Sequence, residues 1–416
     1  VKVIPRRILA IGAATVVLLS GGAAYALSNS PSNDDAKAAL KTLNDYVTAH
    51  SSDSPRPTVT VTSSRTRPPV TRTHTVTVTA PATSPIATVT PSATVTPSAT
   101  APPAGAQWLS GASSDYAGNG TYGTWRGEPV SIIGTWSDTK GCAETACSLD
   151  FLGSKSLGAS MRLDIAVAAI WKSETWPQAA AGDFDARWRT QLQNLKTKSA
   201  ALGLKPQNVY IRFAHEMNGD WTDWRVPKGQ EANFRAAFVR YSNLRYEVFG
   251  TSVPAKLTFS PNDGTSGGYA EPKDLFVGKD EQGRRVADVY SIDSYNSWPH
   301  RTDATAIWNA LNDTNNPASH ESHRLFAKSQ GVPFGISEWG NCGVASQCEG
   351  GGGESPAYVQ QLNRYLRTHA GDIDNPTPGQ TLYDIQFNLW SQYALYGSEA
   401  HQPQTASAYV ALVWGK

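Results

Sequence analysis

VYIRFAHEMNGDWTDW, running from Val209 to Trp224, is the stretch whose reading decides the fold. An extended β-branched and aromatic run (Val209, Tyr210, Ile211, Phe213) stops at His215-Glu216, and an Asn-Gly turn with two tryptophans follows at once. That pattern is a strand delivering a carboxylate to a loop lined with flat apolar faces. A second delivery comes downstream, where Val332 to Ile336 (VPFGI) runs into Ser337-Glu338-Trp339-Gly340. A lone Glu at a strand end is ordinarily a solvated terminus. Two of them in matching contexts, each beside tryptophan, read as a carboxylate pair working on a sugar.

Outward from these two stretches, short apolar runs alternate with helical ones. Strands are expected near Gln107 to Ala112, Val130 to Trp136, Arg162 to Ile170, Val209 to Phe213, Lys256 to Ser260, Val289 to Tyr295, Pro333 to Ser337 and Ile385 to Trp390. Between them the apolar spacing predicts helices at Phe184 to Leu202, Glu231 to Phe249 and Pro356 to His369, with weaker ones at Thr305 to Leu311 and Ser319 to Gln330. The first, second and fifth connections give little helical signal. Eight strands alternating with helices over residues 105 to 416 predict an α/β fold, a (β/α)8 TIM barrel, rather than a doubly wound sheet. In such a barrel the chemistry sits at the strand C-termini, where both glutamates fall.

Composition divides the 416 residues sharply. All 13 Trp and all 4 Cys lie from Trp108 onward, so nothing before that point builds an aromatic core. Residues 1 to 27 pair a basic start (VKVIPRR) with an apolar run from Ile8 to Leu27 that holds Ala-Tyr-Ala at 24 to 26. Two readings stay open: an export signal cleaved after Ala26, or an uncleaved membrane anchor. The leading Val fits an alternative start codon, which makes a bacterial precursor the expectation. Residues 28 to 50 are polar, with a short helix expected from Asp34 to His50. Residues 51 to 104 are Thr, Ser, Pro and Val and include the imperfect repeat ATVTPSATVTPSATAPP. Such a segment buries too little surface to offset its ordering entropy, so a disordered, exposed linker is expected, a candidate for O-glycosylation that tethers the barrel at a membrane or wall.

The net charge of +1 argues against a nucleic-acid partner. The cysteines sit as Cys142 with Cys147 and Cys342 with Cys348, each pair inside a loop after a strand; in an exported chain two local disulfides are expected. The histidines do not cluster at zinc-site spacings, so no metal and no cofactor is expected. The expected state is an extracellular or cell-surface monomer whose partner is a polysaccharide.

Arg212, His215-Glu216-Met217-Asn218-Gly219, Trp221 and Trp224 together resemble the acid/base motif of glycoside hydrolase family 26, in the large clan of retaining barrel glycosidases. Ile336-Ser337-Glu338-Trp339-Gly340 is similar to that family's nucleophile strand. Ser260-Pro261-Asn262, Asp293-Ser294-Tyr295 and Trp390 stand where the family has comparable residues, and the likeness runs from about Trp108 to Trp414. The resemblance implies Glu216 as general acid/base and Glu338 as nucleophile, with His215 beside the site, Tyr295 positioning the nucleophile and Trp390 flooring the cleavage subsite. It implies an exported endo-acting β-1,4-mannanase; a β-1,3-1,4-glucanase, a β-1,3-xylanase or an inactive glycan-binding barrel are the alternatives. For Trp221 and Trp224 stacking on sugar and sealing the loop both stay open, and Arg212 either meets substrate or pairs with a buried acid. Asp223 and Asp293 are left out of catalysis. The loops at Trp298 to His323 and Cys342 to Ser355 depart from the family's pattern.

Overall fold

A closed barrel of eight parallel strands forms between Leu109 and Gln386. The computed structural model describes residues 107–152 and 157–416, together with the backbone of three short strands nearer the N-terminus. Those three, β1 (Ala14–Leu19), β2 (Thr58–Ser63) and β3 (Arg72–Val76), pair antiparallel in that order. The signal or anchor segment, the helix expected from Asp34 to His50 and the linker otherwise lie outside the described residues. The chain divides into two compact units, 1–94 and 95–416, and the second carries the barrel. Among the described residues no helix is long and apolar enough to cross a membrane.

The barrel strands are β4 (Leu109–Ala112), β5 (Ile132–Ser137), β6 (Arg162–Val167), β7 (Val209–Phe213), β8 (Lys256–Phe259), β9 (Val289–Asn296), β10 (Phe334–Asn341) and β11 (Thr381–Gln386). Each pairs with its neighbour in sequence, and β11 closes on β4. Alternation along β7 explains the two layers. Phe213 faces outward, stacked at 4.1 Å on Tyr241 of the surrounding helices. Tyr210 and Arg212 face inward, Tyr210 against Tyr383 of β11 with ring centroids 5.6 Å apart. Leu109, Ile132, Val289, Leu382 and Ile385 join these two tyrosines in a second apolar cluster. Each large apolar side chain fully buried in this way contributes about 1.5–3 kcal/mol.

The helices α1 (Asp185–Ala201), α2 (Glu231–Phe249), α3 (Ala304–Asn312), α4 (His320–Ser329) and α5 (Pro356–Thr368) match the expected ones to within a few residues. In α2 the buried Phe234, Phe238, Tyr241 and Arg245 recur at helical spacing, which lays one face on the strands. The Ser355 side chain accepts from the Tyr358 amide and Pro356 opens the first turn, so α5 starts at a capped end. The weakly helical first, second and fifth connections hold only short helices, such as Thr121–Arg126 and Pro272–Leu275.

Both disulfides are local, Cys142–Cys147 and Cys342–Cys348, and point to an oxidising compartment outside the cytoplasm. Several strand limits differ from expectation. The third ends at Val167 rather than Ile170. The eighth spans Thr381–Gln386, and Trp390 does not end it but opens the short helix α6 (Trp390–Tyr393). The cause is Asn388, whose Oδ1 accepts from the amides of Leu395 and Tyr396 while its Nδ2 donates to the Tyr396 carbonyl, turning the chain back on itself. Strands β9 and β10 run on to Asn296 and Asn341, so Glu338 lies within β10 rather than past its end.

Candidate active site

Two irregularities aim the two glutamates. In β10 the pairing with β9 slips between Ile336 and Glu338, leaving Ser337 as an extra residue. Strict alternation would turn one of Ser337 and Glu338 outward; the bulge turns both into the barrel. Ser337 bonds Ser291 and Tyr383 inside it, Glu338 bonds Arg212, and Trp339 then faces out to stack on Trp414. Glu216 stands three residues beyond β7 in a turn where Ala214 and Glu216 both take left-handed backbone, φ 56° and 52°. Such conformations cost non-glycine residues about 1–3 kcal/mol each and need surroundings that enforce them. Here the Ala214 amide donates to Val167 and the Glu216 amide to Ser260, tying the turn to the strands on either side.

Asn218, expected as a turn residue, is fully buried and works as a clamp. Its Nδ2 donates to the carbonyls of Asn262 and Gly264, and its Oδ1 accepts from the Asn262 amide. That clamp presents Asn262, whose Nδ2 donates to Glu216 Oε1 at 2.9 Å. Trp221 Nε1 donates to Glu216 Oε2 at 2.6 Å. Gly219 permits the fold-back, since a Cβ there would stand 2.4 Å from the Trp221 ring. Burial first, and then the charge of Glu338, push the Glu216 carboxyl up to about 7 against these two donors.

Glu338 is 5 % exposed and accepts three hydrogen bonds. Trp136 Nε1 and Arg212 Nη1 reach Oε1 at 2.8 and 2.7 Å, and the Tyr295 hydroxyl reaches Oε2 at 2.7 Å. Arg212 is wholly buried and also pairs with Asp164 at 2.5 Å and Asp293 at 3.2 Å. Burial works against its charge, but Asp164, Asp293 and Glu338 outweigh it and keep the guanidinium ionised. Burial, and then Glu338, push Asp293 well above the usual carboxylate range. Of the two readings open for Arg212, the geometry is that of the buried ion pair: it orients Glu338 from below.

His215 is buried with Nε2 3.8 Å from Asp138. Burial, and then the Arg212 cation, hold it well below the usual histidine range, so the ring is neutral. Trp224 is buried too, its nitrogen donating to the His215 carbonyl at 2.6 Å, which is the sealing role. Trp221 and Trp390, by contrast, are 51 % and 58 % exposed. Trp390 has φ 57° and rests edge-on against Phe387. The site thus brings together Arg212, His215, Glu216, Trp221, Tyr295 and Glu338. Asp223 is bonded to none of them.

Three participants are absent from the candidates read off the sequence. Trp136 closes the second strand expected from the sequence, Val130 to Trp136, much as the two glutamates follow expected strands, and that shared position was the available signal. Asn262 follows β8 in a motif already noted. Asp138, one residue beyond β5, is pushed up to about 6 by burial and then by Glu338, and nothing in its neighbourhood in the sequence marks it.

No family model and no curated protein matches the chain. Among solved structures it is similar to the catalytic domain of a GH26 endo-β-1,4-mannanase from Bacillus sp. JAMB-750, at 14% identity over 73% of this chain and 85% of that one, with a TM-score of 0.49. It is similar to the GH26C protein of a Muricauda species at 13% identity, covering 74% and 85% of the two chains, TM-score 0.47. A GH5-4 broad specificity endoglucanase from an uncultured bacterium aligns at 12% identity over 72% and 85%, TM-score 0.45.

Proposed function

We propose that the chain is a retaining endo-β-glycosidase, with Glu216 as general acid/base and Glu338 as nucleophile. The observation that carries this reading is the asymmetry of two mutually interacting carboxyl groups. One is pushed up to about 7, partly by the other's charge, while the other is met by a guanidinium and two further donors. An acid that holds its proton near neutrality beside an oriented carboxylate is the division of labour that double displacement requires.

In the first step the Glu216 proton passes to the glycosidic oxygen, an oxygen of Glu338 bonds to the anomeric carbon, and the glycosidic bond breaks. The sugar remains as an ester on Glu338. In the second, the Glu216 carboxylate takes a proton from water as the water oxygen attacks the anomeric carbon and expels Glu338. Arg212, Trp136 and Tyr295 hold Glu338 in one orientation through both steps. Exposed Trp221 and Trp390 offer flat faces for sugar rings at the mouth. The likeness of His215 to Gly219 and of Ile336 to Gly340 to family 26 favours β-1,4-mannan as substrate. Export fits the disulfides.

Proton NMR of the first product from a β-linked oligosaccharide, read before mutarotation, tests the reading. The β anomer is expected. An initial α anomer requires inversion and carboxyls about 6.5–9.5 Å apart, and overturns the assignment. A hydrolysis screen on mannan, mixed-linkage glucan and xylan separates the substrates.

The pH profile follows from the same carboxyl. A general acid works protonated, so kcat/KM on unactivated glycan falls as pH rises through about 7, the value to which burial and Glu338 raise Glu216. With an activated aryl glycoside the Glu216→Ala variant loses that basic limb. A limb that survives the substitution belongs to another group.

A further inference from the structure

Trp298 is 74 % exposed, the largest exposure of any large apolar side chain among the described residues. An isolated exposed apolar residue by itself signals nothing. What distinguishes this one is the scaffold beneath it. It stands two residues past β9 on the loop that follows Tyr295, the residue that bonds Glu338. A path of three residues from Tyr295 spans at most about 11 Å, so the ring belongs to the same mouth, and it bonds neither Glu216 nor Glu338.

That loop is held from three sides by buried carboxamides. Asn296, at the end of β9, donates through Nδ2 to Asn341 Oδ1 and to the Arg301 carbonyl, both at 2.8 Å. Asn341, at the end of β10 and 1 % exposed, donates to the Gly353 carbonyl and to Gln402 Oε1, both at 2.8 Å. Gln402, beyond β11, donates to the Asn341 carbonyl at 3.0 Å and to the Gln392 carbonyl at 3.1 Å. His300 Nε2 reaches Asn341 Oδ1 and Gly353 O, closing the set. The segment just past the Cys342–Cys348 disulfide then backs the tryptophan: a Cβ on Gly350 would stand 1.9 Å from the Ser297 carbonyl and 2.6 Å from Trp298 Cε3. Gln392 lies in α6, so the element bearing Trp390 is tied to the same hub. Networks of this kind fix geometry, because a buried carboxamide that loses its partners is left unsatisfied away from water.

A large apolar ring is thus kept in water by an investment of buried polar contacts. Its indole has no ring, cation or hydrogen-bond partner among the described residues. We propose that Trp298 is a sugar-stacking platform outside the cleavage point, fixed relative to Trp390 by the Asn341 hub, and that it binds a further pyranose of an extended β-glycan chain. The ligand class is a neutral β-linked polysaccharide, whose rings present apolar C–H faces to a flat indole. This rests on the reading of the site as a glycosidase and deepens it: the platform gives the cleft a length preference and makes long chains the preferred substrate.

The test compares kcat/KM on β-1,4-mannohexaose and cellohexaose with that on the corresponding trioses. In Trp298→Ala the hexaose-to-triose ratio falls about tenfold, the equivalent of about 1.4 kcal/mol, and most of the loss is in KM. Trp298→Tyr restores most of the ratio, whereas Trp298→Leu, apolar but not flat, does not. A loss equal for both lengths marks a structural role or a surface for another protein, and an unchanged ratio marks a ring that meets no sugar; either overturns the platform. A parent protein that cleaves neither hexaose nor any polysaccharide of the screen removes the glycosidase reading and the platform with it; one that cleaves only xylan takes the same length comparison on β-1,3-xylooligosaccharides. An active parent with a length-blind variant removes the platform alone.

Discussion

Glu338→Ala abolishes turnover of every substrate, activated aryl glycosides included, by about 10⁴ to 10⁶-fold. No covalent glycosyl ester forms without the carboxylate, and a good leaving group cannot substitute for it. The substitution also opens a space bounded by Trp136, Arg212 and Tyr295, the three donors that Glu338 occupies in the parent. A small anion fits such a space. Azide is expected to restore cleavage of a 2,4-dinitrophenyl β-glycoside by a single displacement, and the product is the α-glycosyl azide. Residual activity within about tenfold of the parent, without azide, removes Glu338 from the role of nucleophile.

Glu216→Ala separates substrates by their leaving groups. Polysaccharide, whose departing oxygen is basic, loses about 10² to 10⁴ in rate, the usual worth of general-acid assistance. The dinitrophenyl glycoside forms its glycosyl ester without help, so the ester accumulates and a burst of phenolate precedes slow turnover. Azide speeds that turnover and yields the β-glycosyl azide, the opposite anomer from the Glu338 variant. The two products, read by NMR, assign each carboxyl independently of rates. If the anomers come out exchanged, the roles of Glu216 and Glu338 are exchanged as well.

The barrel was legible because its signals are local: in β7 the alternation of Tyr210 and Arg212 with Ile211 and Phe213 separates lumen from shell within five residues. The end of β11 was not legible, because Asn388 turns the chain through bonds to residues seven and eight positions ahead, and the apolar pattern runs on to Leu389 as though the strand continued. The two glutamates stood out by context, but not how they are aimed. Alternation in β10 carries no mark of the slip at Ser337, and nothing in the residue types at 214 and 216 announces left-handed backbone. Trp136 escaped notice because its partner, Glu338, lies 202 positions away and only barrel closure unites them. Both readings of Arg212 fit the sequence; its three acids come from β6, β9 and β10.

The Asn341 hub changes how this scaffold can be diversified. Barrel enzymes commonly vary their specificity by exchanging one mouth loop while the others stay as they are. Here three successive loops share a single carboxamide: Asn296 and His300 reach it from the end of β9 and the loop after it, Gly353 from the segment after β10 and Gln402 from the segment after β11. A graft that replaces one of the three strips partners from a side chain with no access to water. Modularity on this side of the mouth therefore resides in the trio: the segments after β9, β10 and β11 transplant as one block, as the Asn218 clamp likewise couples those after β7 and β8.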